Sequence, residues 1–281
     1  MTENAQPDSG TNHASQRPNS VLIATSVVGG VLLVAAIATA AVFGITSLNR
    51  SGGEASTLTA DARGVTALEV DAGSAEFSIV YDGAGSGEAV LETSAGGREW
   101  QLRRDGATLV VDSERSFFPD WLMFGPDLGQ TVVLRLPDEM RTQRIDADFE
   151  LSSGGLRAEG NYGELEVEVS SGNFIVSGSA RSFDAGVSSG HLEFVLDDVE
   201  EASIDISSGR VDGELTGTAP ASLDIDVSSG SVEVRLPDEA YAVSTRVSSG
   251  SIDNLLRTDP ASPYRIDARV SSGGITLRPG G

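Results

Sequence analysis

The chain has no cysteine and no lysine, only two histidines, and fifteen aromatic residues in a length of 281. The missing cysteines exclude disulfides, thiol nucleophiles and thiolate metal sites. They do not fix a compartment, because oxidising and reducing settings both tolerate a cysteine-free chain. With lysine absent, all 19 basic residues are arginine; they face 42 acids, and the net charge is −23. Up to residue 50, Glu3 and Asp8 balance Arg17 and Arg50, so the excess lies in the rest of the chain. A body this acidic repels nucleic acid and anionic lipid headgroups, and no basic stripe is present to overcome the repulsion. Nucleic acid is therefore not an expected partner.

What is present begins with an apolar run. Val21 to Leu48, "VLIATSVVGGVLLVAAIATAAVFGITSL", carries no charge. About 20 such residues cross a bilayer core as helix, the state that satisfies every backbone amide internally. The run predicts a transmembrane helix over 21–48, with the lipid bilayer as its partner. A cleaved signal peptide ending near Ala36, Ala38 and Ala40 is the rival, but its apolar core would run only about 7–15 residues. Gly29 and Gly30 offer a close-approach point to another helix. Residues 1–20 read as a disordered tail and 49–62, "RSGGEASTLTADA" from Arg50 on, as a flexible linker. Arg17 on one side and Arg50 and Arg63 on the other leave the orientation open on charge alone. Residues 63–281 remain as one folded domain.

That domain repeats. Ser-Ser-Gly occurs seven times, ending at Gly154, Gly172, Gly190, Gly209, Gly230, Gly250 and Gly273. The spacing is near twenty residues. Three places before each glycine stand Leu151, Val169, Val187, Ile206, Val227, Val247 and Val270; two places after stand Leu156, Phe174, Leu192, Val211, Val232, Ile252 and Ile275. Five and seven places before, the residues are again mostly apolar. This is the period-2 pattern of a half-buried strand. From three before to two after is five residues, an odd number, so the chain must turn between two inward positions. The seven glycines therefore read as structural corners, with glycine's tolerance of positive φ as the expected reason for its use.

Each repeat becomes strand, corner, strand, loop, and stacking buries one continuous core. The fold class expected is all-β, a β-solenoid or β-helix-like stack of Ser-Ser-Gly repeats after a single transmembrane helix. An antiparallel meander is the alternative. Gly73 is the expected ruler of an eighth, degenerate rung, with Leu68, Val70, Ala75 and Phe77 inward. Asp105–Gly106 is a hairpin signal. "RLPDE", at Arg135 and again at Arg235, marks one strand-to-loop transition used twice.

At these residues the chain resembles the putative-adhesin family of bacterial β-strand-repeat domains. The resemblance rests on units such as Val187-Ser188-Ser189-Gly190-His191-Leu192 and on the "LPDE" turns, and it covers about residues 63–281. It implies a β-helical stack tethered to the cell envelope, with the tail cytoplasmic and the C-terminal domain extracytoplasmic at the plasma membrane. It brings no catalytic residue.

Three groups of side chains are candidates for chemistry. The corner serines lack a base: His13 lies in the tail and His191 stands alone, so no catalytic residue, no cofactor and no enzyme is expected. The outward acids form a face on which Glu166, Glu168, Asp205, Asp224 and Asp226 are candidates for weak divalent-cation binding through hard oxygen ligands; counterions alone are the competing reading. The segment Ser116–Asp127, "SFFPDWLMFGPD", places Phe117, Phe118, Trp121 and Phe124 together, either as a cap on the stack or as a contact for a partner or the membrane surface. The role expected is adhesion or envelope scaffolding through cell-wall polymer or envelope protein. Sensing of the envelope state through partner membrane proteins is the alternative, and carbohydrate-active catalysis the third.

Overall fold

The computed structural model describes residues 55–82, 87–95, 98–113 and 129–280. The tail 1–20, the expected membrane helix 21–48, residues 49–54 of the linker and the aromatic segment 116–127 lie outside these residues. Among the described residues no helix is long and apolar enough to cross a membrane.

The described chain is all-β. Seven strands form the N-terminal part: β1 (Ser56–Asp61), β2 (Ala67–Asp71), β3 (Glu76–Tyr81), β4 (Glu88–Thr93), β5 (Trp100–Asp105), β6 (Thr108–Ser113) and β7 (Thr131–Leu136). One helical turn, α1 (Asp138–Arg141), follows. The repeats then supply β8 (Ile145–Leu151), β9 (Gly155–Val169), β10 (Asn173–Val187), β11 (His191–Asp197), β12 (Glu201–Ile206), β13 (Arg210–Thr216) and β14 (Ser222–Val227). The last six are β15 (Ser231–Leu236), β16 (Ala240–Val247), β17 (Ser251–Asn254), β18 (Arg257–Thr258), β19 (Arg265–Val270) and β20 (Gly274–Pro279).

The stack is parallel and in register, so the meander is excluded for the repeats. Leu151, Val169, Val187, Ile206 and Val227 pair rung on rung in one file. Leu156, Phe174, Leu192, Val211 and Val232 form the matching file after the corner. The strands before the corners make a leading face and those after make a trailing face, with the core between them. Phe149 of the leading face meets Phe174 of the trailing face at 5.7 Å between rings, and Phe183 meets Phe194 at 4.8 Å. These files are almost wholly buried, and each such side chain contributes about 1.5–3 kcal/mol before the entropy of ordering is subtracted.

The reason for glycine at the corners differs from the expectation. Of the seven, only Gly154 has a positive φ, +89°. The others are needed because rungs touch at the corner. A Cβ on Gly190 would lie 2.5 Å from the carbonyl oxygen of Gly172, and one on Gly209 would lie 2.5 Å from that of Gly190. The serines sustain the ladder through the turn: Ser188 N donates to Val169 O and Ser189 N to Ser170 O, both at 2.8 Å. After the glycine the ladder resumes, His191 N donating to Gly172 O at 2.9 Å.

Three further corrections concern order and register. First, repeats do not stack in chain order. β14 pairs with β19, and β19 pairs with β16; on the trailing face β15 pairs with β20 and β20 with β17. The Gly273 rung is thus inserted between the Gly230 and Gly250 rungs, and the Gly250 rung ends the stack. Val247, expected inward, is therefore 50 % exposed. Second, the degenerate rung is real but its ruler is Ala75. Asp71 pairs with Glu150 and Glu76 with Gly155, which sets Gly73-Ser74-Ala75 beside Ser152-Ser153-Gly154. Ala72 then fills the place three before the corner and is fully buried. Third, residues 56–61 of the expected linker form β1, because Leu58 finds a buried place when the strand pairs antiparallel with β4.

Beyond the Ala75 rung the parallel order gives way to hairpins. β6 lies parallel on β2, and β5 turns back on β6 through Gly106, whose φ is +59°. β7 lies parallel on β3, β4 antiparallel on β7, and β1 on β4. Trp100 is buried there, its Nε1 donating to Gln130 Oε1 at 2.8 Å. Both "RLPDE" copies end trailing-face strands, β7 and β15, as the repetition suggested.

Candidate functional site

The leading face carries two outward files of acids. Six places before the corners, in spatial order, stand Glu69, Asp148, Glu166, Asp184, Ser203, Asp224, Asp267 and Ser244. Four places before stand Asp71, Glu150, Glu168, Gly186, Asp205, Asp226, Arg269 and Arg246. Strand pairing holds equivalent residues about 4.8 Å apart, so each carboxylate has at least one like neighbour in its own file. Among the described residues none of these acids lies in an ion pair.

The crowding raises several of these groups. Asp148 is pushed up to about 6, first by partial desolvation against its neighbours and then by the charges of Glu166, Glu69 and Glu150. Glu168, Asp184 and Asp205 are also raised, desolvation leading in each case and nearby acids following. Arg269 partly offsets the rise at Asp205.

Gly186 interrupts the second file. A Cβ there would lie 2.4 Å from Glu168 Oε2, so the Glu168 side chain leans across the gap. The result is an open groove of about 230 Å³. Glu168, Asp205 and Asp226 line it together with the corner serines Ser188, Ser207 and Ser228.

The structure thus brings three of the five cation candidates, Glu168, Asp205 and Asp226, to one groove. Glu166 and Asp224 stand in the neighbouring file, three rungs apart, with Asp184 and Ser203 between them. Among the described residues no group of three or more His, Asp or Glu is placed to hold a metal ion. Glu69 and Asp71 extend the acidic files by one rung. The sequence signal for them was hidden because their corner reads Gly-Ser-Ala. His191 stands outward on the trailing face, its Nε2 3.1 Å from Asp212 Oδ2, and the corner serines point to no base. Phe117, Phe118, Trp121 and Phe124 lie outside the described residues.

A two-faced all-β stack of short parallel rungs with a charged outer ladder is the class of protein these features define. Within it, residues 140–278 match the family model of the Toastrack domain, DUF4097. No curated protein matches the chain. Among solved structures it is similar to a putative adhesin from Parabacteroides merdae, at 16% identity and a TM-score of 0.44, covering 80% of this chain and 96% of the other. It is similar to a putative cell adhesion protein from Clostridium sporogenes at 10% identity and a TM-score of 0.37, covering 81% and 100%. A putative lipid binding protein from Parabacteroides distasonis aligns at 16% identity and a TM-score of 0.45, covering 80% and 97%.

Proposed function

We propose that this chain is a membrane-anchored, non-catalytic β-repeat protein whose extracytoplasmic domain serves adhesion or envelope scaffolding through its leading face. The observation that carries the reading is the pair of in-register acid files flanking the Glu168–Asp205–Asp226 groove. An extended, regularly spaced face suits a repeating or extended partner better than it suits a small substrate. The partners that fit are cell-wall polymer and envelope protein, and the anchor is the apolar run 21–48. Purified full chain in detergent, incubated with cell-wall polymer and with envelope extract, tests this. Retention that falls when Glu168, Asp205 and Asp226 are changed together to Gln, Asn and Asn supports the reading; absence of any retention contradicts it.

A second reading is favoured by Asp148. Its carboxyl titrates near 6, so a modest acidification outside the membrane changes the charge of this face. A sensor of envelope state acting through partner membrane proteins would use that change. Cross-linking of the full chain to membrane partners at pH 5.5 and at pH 7.5 separates the two: a partner set that changes with pH supports sensing, and a constant set supports scaffolding.

A further inference from the structure

We infer that the Gly250 rung, which ends the stack, is the interface through which two copies of this chain join end to end. Among the described residues three large apolar side chains are exposed, and two of them, Val247 at 50 % and Leu255 at 64 %, belong to this rung or follow directly from it. The opposite end is closed by the antiparallel hairpins around Trp100. Here β16 pairs with β19 on one side and, on the other, meets only β18 at Ala240 and Tyr241.

The direction of the backbone groups shows what is left open. Ala242 N donates to Tyr264 O, and Ser248 N donates to Val270 O. Even-numbered residues of β16 therefore aim their amides at β19. Odd-numbered ones aim the other way, as Tyr241 O does in accepting from Asp259 N. Val243, Thr245 and Val247 thus present unpaired donors and acceptors at a sheet edge, a template for a further strand.

The occupant that fits is a second copy, because this edge is complementary to itself. An antiparallel pairing about a two-fold axis at Thr245 sets Val243 opposite Val247 of the second copy on the core side. On the outer side it sets Arg246 opposite Ser244 of the second copy. Ser244 is paired in register with Asp267 one rung inward, which brings an acid of the second copy near an arginine that has no ion pair among the described residues. The same axis, running through both faces, brings the β17 edges together. Such an interface is isologous and closes at two copies. The end of the stack also suits two copies with a net charge of −23 each, since the acidic file there gives way to Arg269 and Arg246.

The absence of native cysteine makes a clean test. Hydrogen-bonded antiparallel partners sit about 5.5 Å apart between Cα atoms, within disulfide reach. Full chain carrying Thr245→Cys should form a covalent dimer on mild oxidation, and full chain carrying Ser203→Cys, in the middle of the leading face, should not. Arg246→Glu should raise the dimer dissociation constant about tenfold or more, the size of one charge-assisted contact, with thermal unfolding unchanged. Adding Asp267→Arg should restore it. A monomeric full chain overturns the inference. So does a dimer that leaves Thr245→Cys uncross-linked, which would place association elsewhere, for example at Gly29–Gly30. A Thr245→Cys adduct formed only with another protein overturns the second copy as occupant. The cysteine result stands even if Arg246→Glu impairs folding.

Discussion

The leading and trailing faces share one backbone plan and differ in how they treat charge. On the trailing face, arginines and acids meet: Arg278 lies 2.7 Å from Glu233, Arg235 lies 3.0 Å from the same carboxylate, and Arg135 lies 3.0 Å from Glu92. On the leading face the files are mostly acid upon acid, broken by Ser203 and Gly186 and ended by Arg269 and Arg246 in one of them. The same hydrogen-bonded ladder thus carries a neutralised surface on one side and a repelling one on the other. Like charges opposite one another in a sheet are destabilising, so the leading face is tolerated by the core rather than explained by it. Surface charge that the fold does not need is where a binding role is best sought.

The largest expected effect falls at the corners, which serve both faces equally. Gly190→Ala would set a methyl group 2.5 Å from Gly172 O and 2.5 Å from Val169 Cγ1, one of them backbone. Neither face can shift alone, so a loss of about 3–5 kcal/mol is expected, measurable by chemical denaturation. Gly106→Ala provides the contrast. Nothing lies within 4 Å of its Cβ, but its φ is +59°, and a loss of only about 1 kcal/mol is expected. Equal losses at the two sites would show that rung contact is not what demands glycine at the corner.

Much of this was legible in the sequence, and the failures have physical reasons. Period-2 alternation and the odd step across Ser-Ser-Gly are sufficient for strands, corners and register, because a one-residue slip would turn every core residue outward. Stacking order is not encoded that way, since any rung presents a similar edge to any other. Two residues did mark the terminal rung. Thr245 and Asn254 are polar at places where other rungs bury Ile225 and Val234 or Ala268 and Leu277. The corner of the Ala75 rung lies two residues past Gly73, the place glycine alone would mark, because the structure requires only a small residue where Gly154 stacks on the Ser74 and Ala75 carbonyls. The acidic files were visible in the sequence. The Glu168–Asp205–Asp226 groove was not, because it depends on a side chain leaning over Gly186.

The intermediate effects separate the faces by sign. Asp148 binds its proton more tightly folded than unfolded, since its folded value of about 6 lies above the ordinary 3.8. Between those values the native state holds more protons, so stability falls as pH rises through about 4 to 6 and stays low above that. Thermal unfolding should therefore occur at higher temperature at pH 5 than at pH 7.5, and the raised Glu168, Asp184 and Asp205 should add to the trend. Asp148→Asn should stabilise at pH 7.5 by about 1 kcal/mol, a figure already reduced for screening by the solvent that reaches this face, and should flatten the pH slope. A destabilised Asp148→Asn would mean that the acidic face is held by contacts rather than strained by repulsion.

The smallest effect should come from the trailing face and carry the opposite sign. Glu233 accepts from both Arg235 and Arg278, bridging two rungs that the chain order separates by one intervening rung. Its loss leaves two arginines side by side in one file, Arg235 beside Arg278. The groups are partly exposed, however, so solvent screens both the lost attraction and the new repulsion. Glu233→Gln should cost about 0.5–1 kcal/mol at low salt, and the cost should shrink as salt is added, whereas the gain from Asp148→Asn should shrink in the same titration from the other side. The two salt curves should converge toward the wild-type value. If both variants moved in the same direction, the contrast between a neutralised face and a repelling one would fail, and the charge pattern would have to be read as a property of the whole stack.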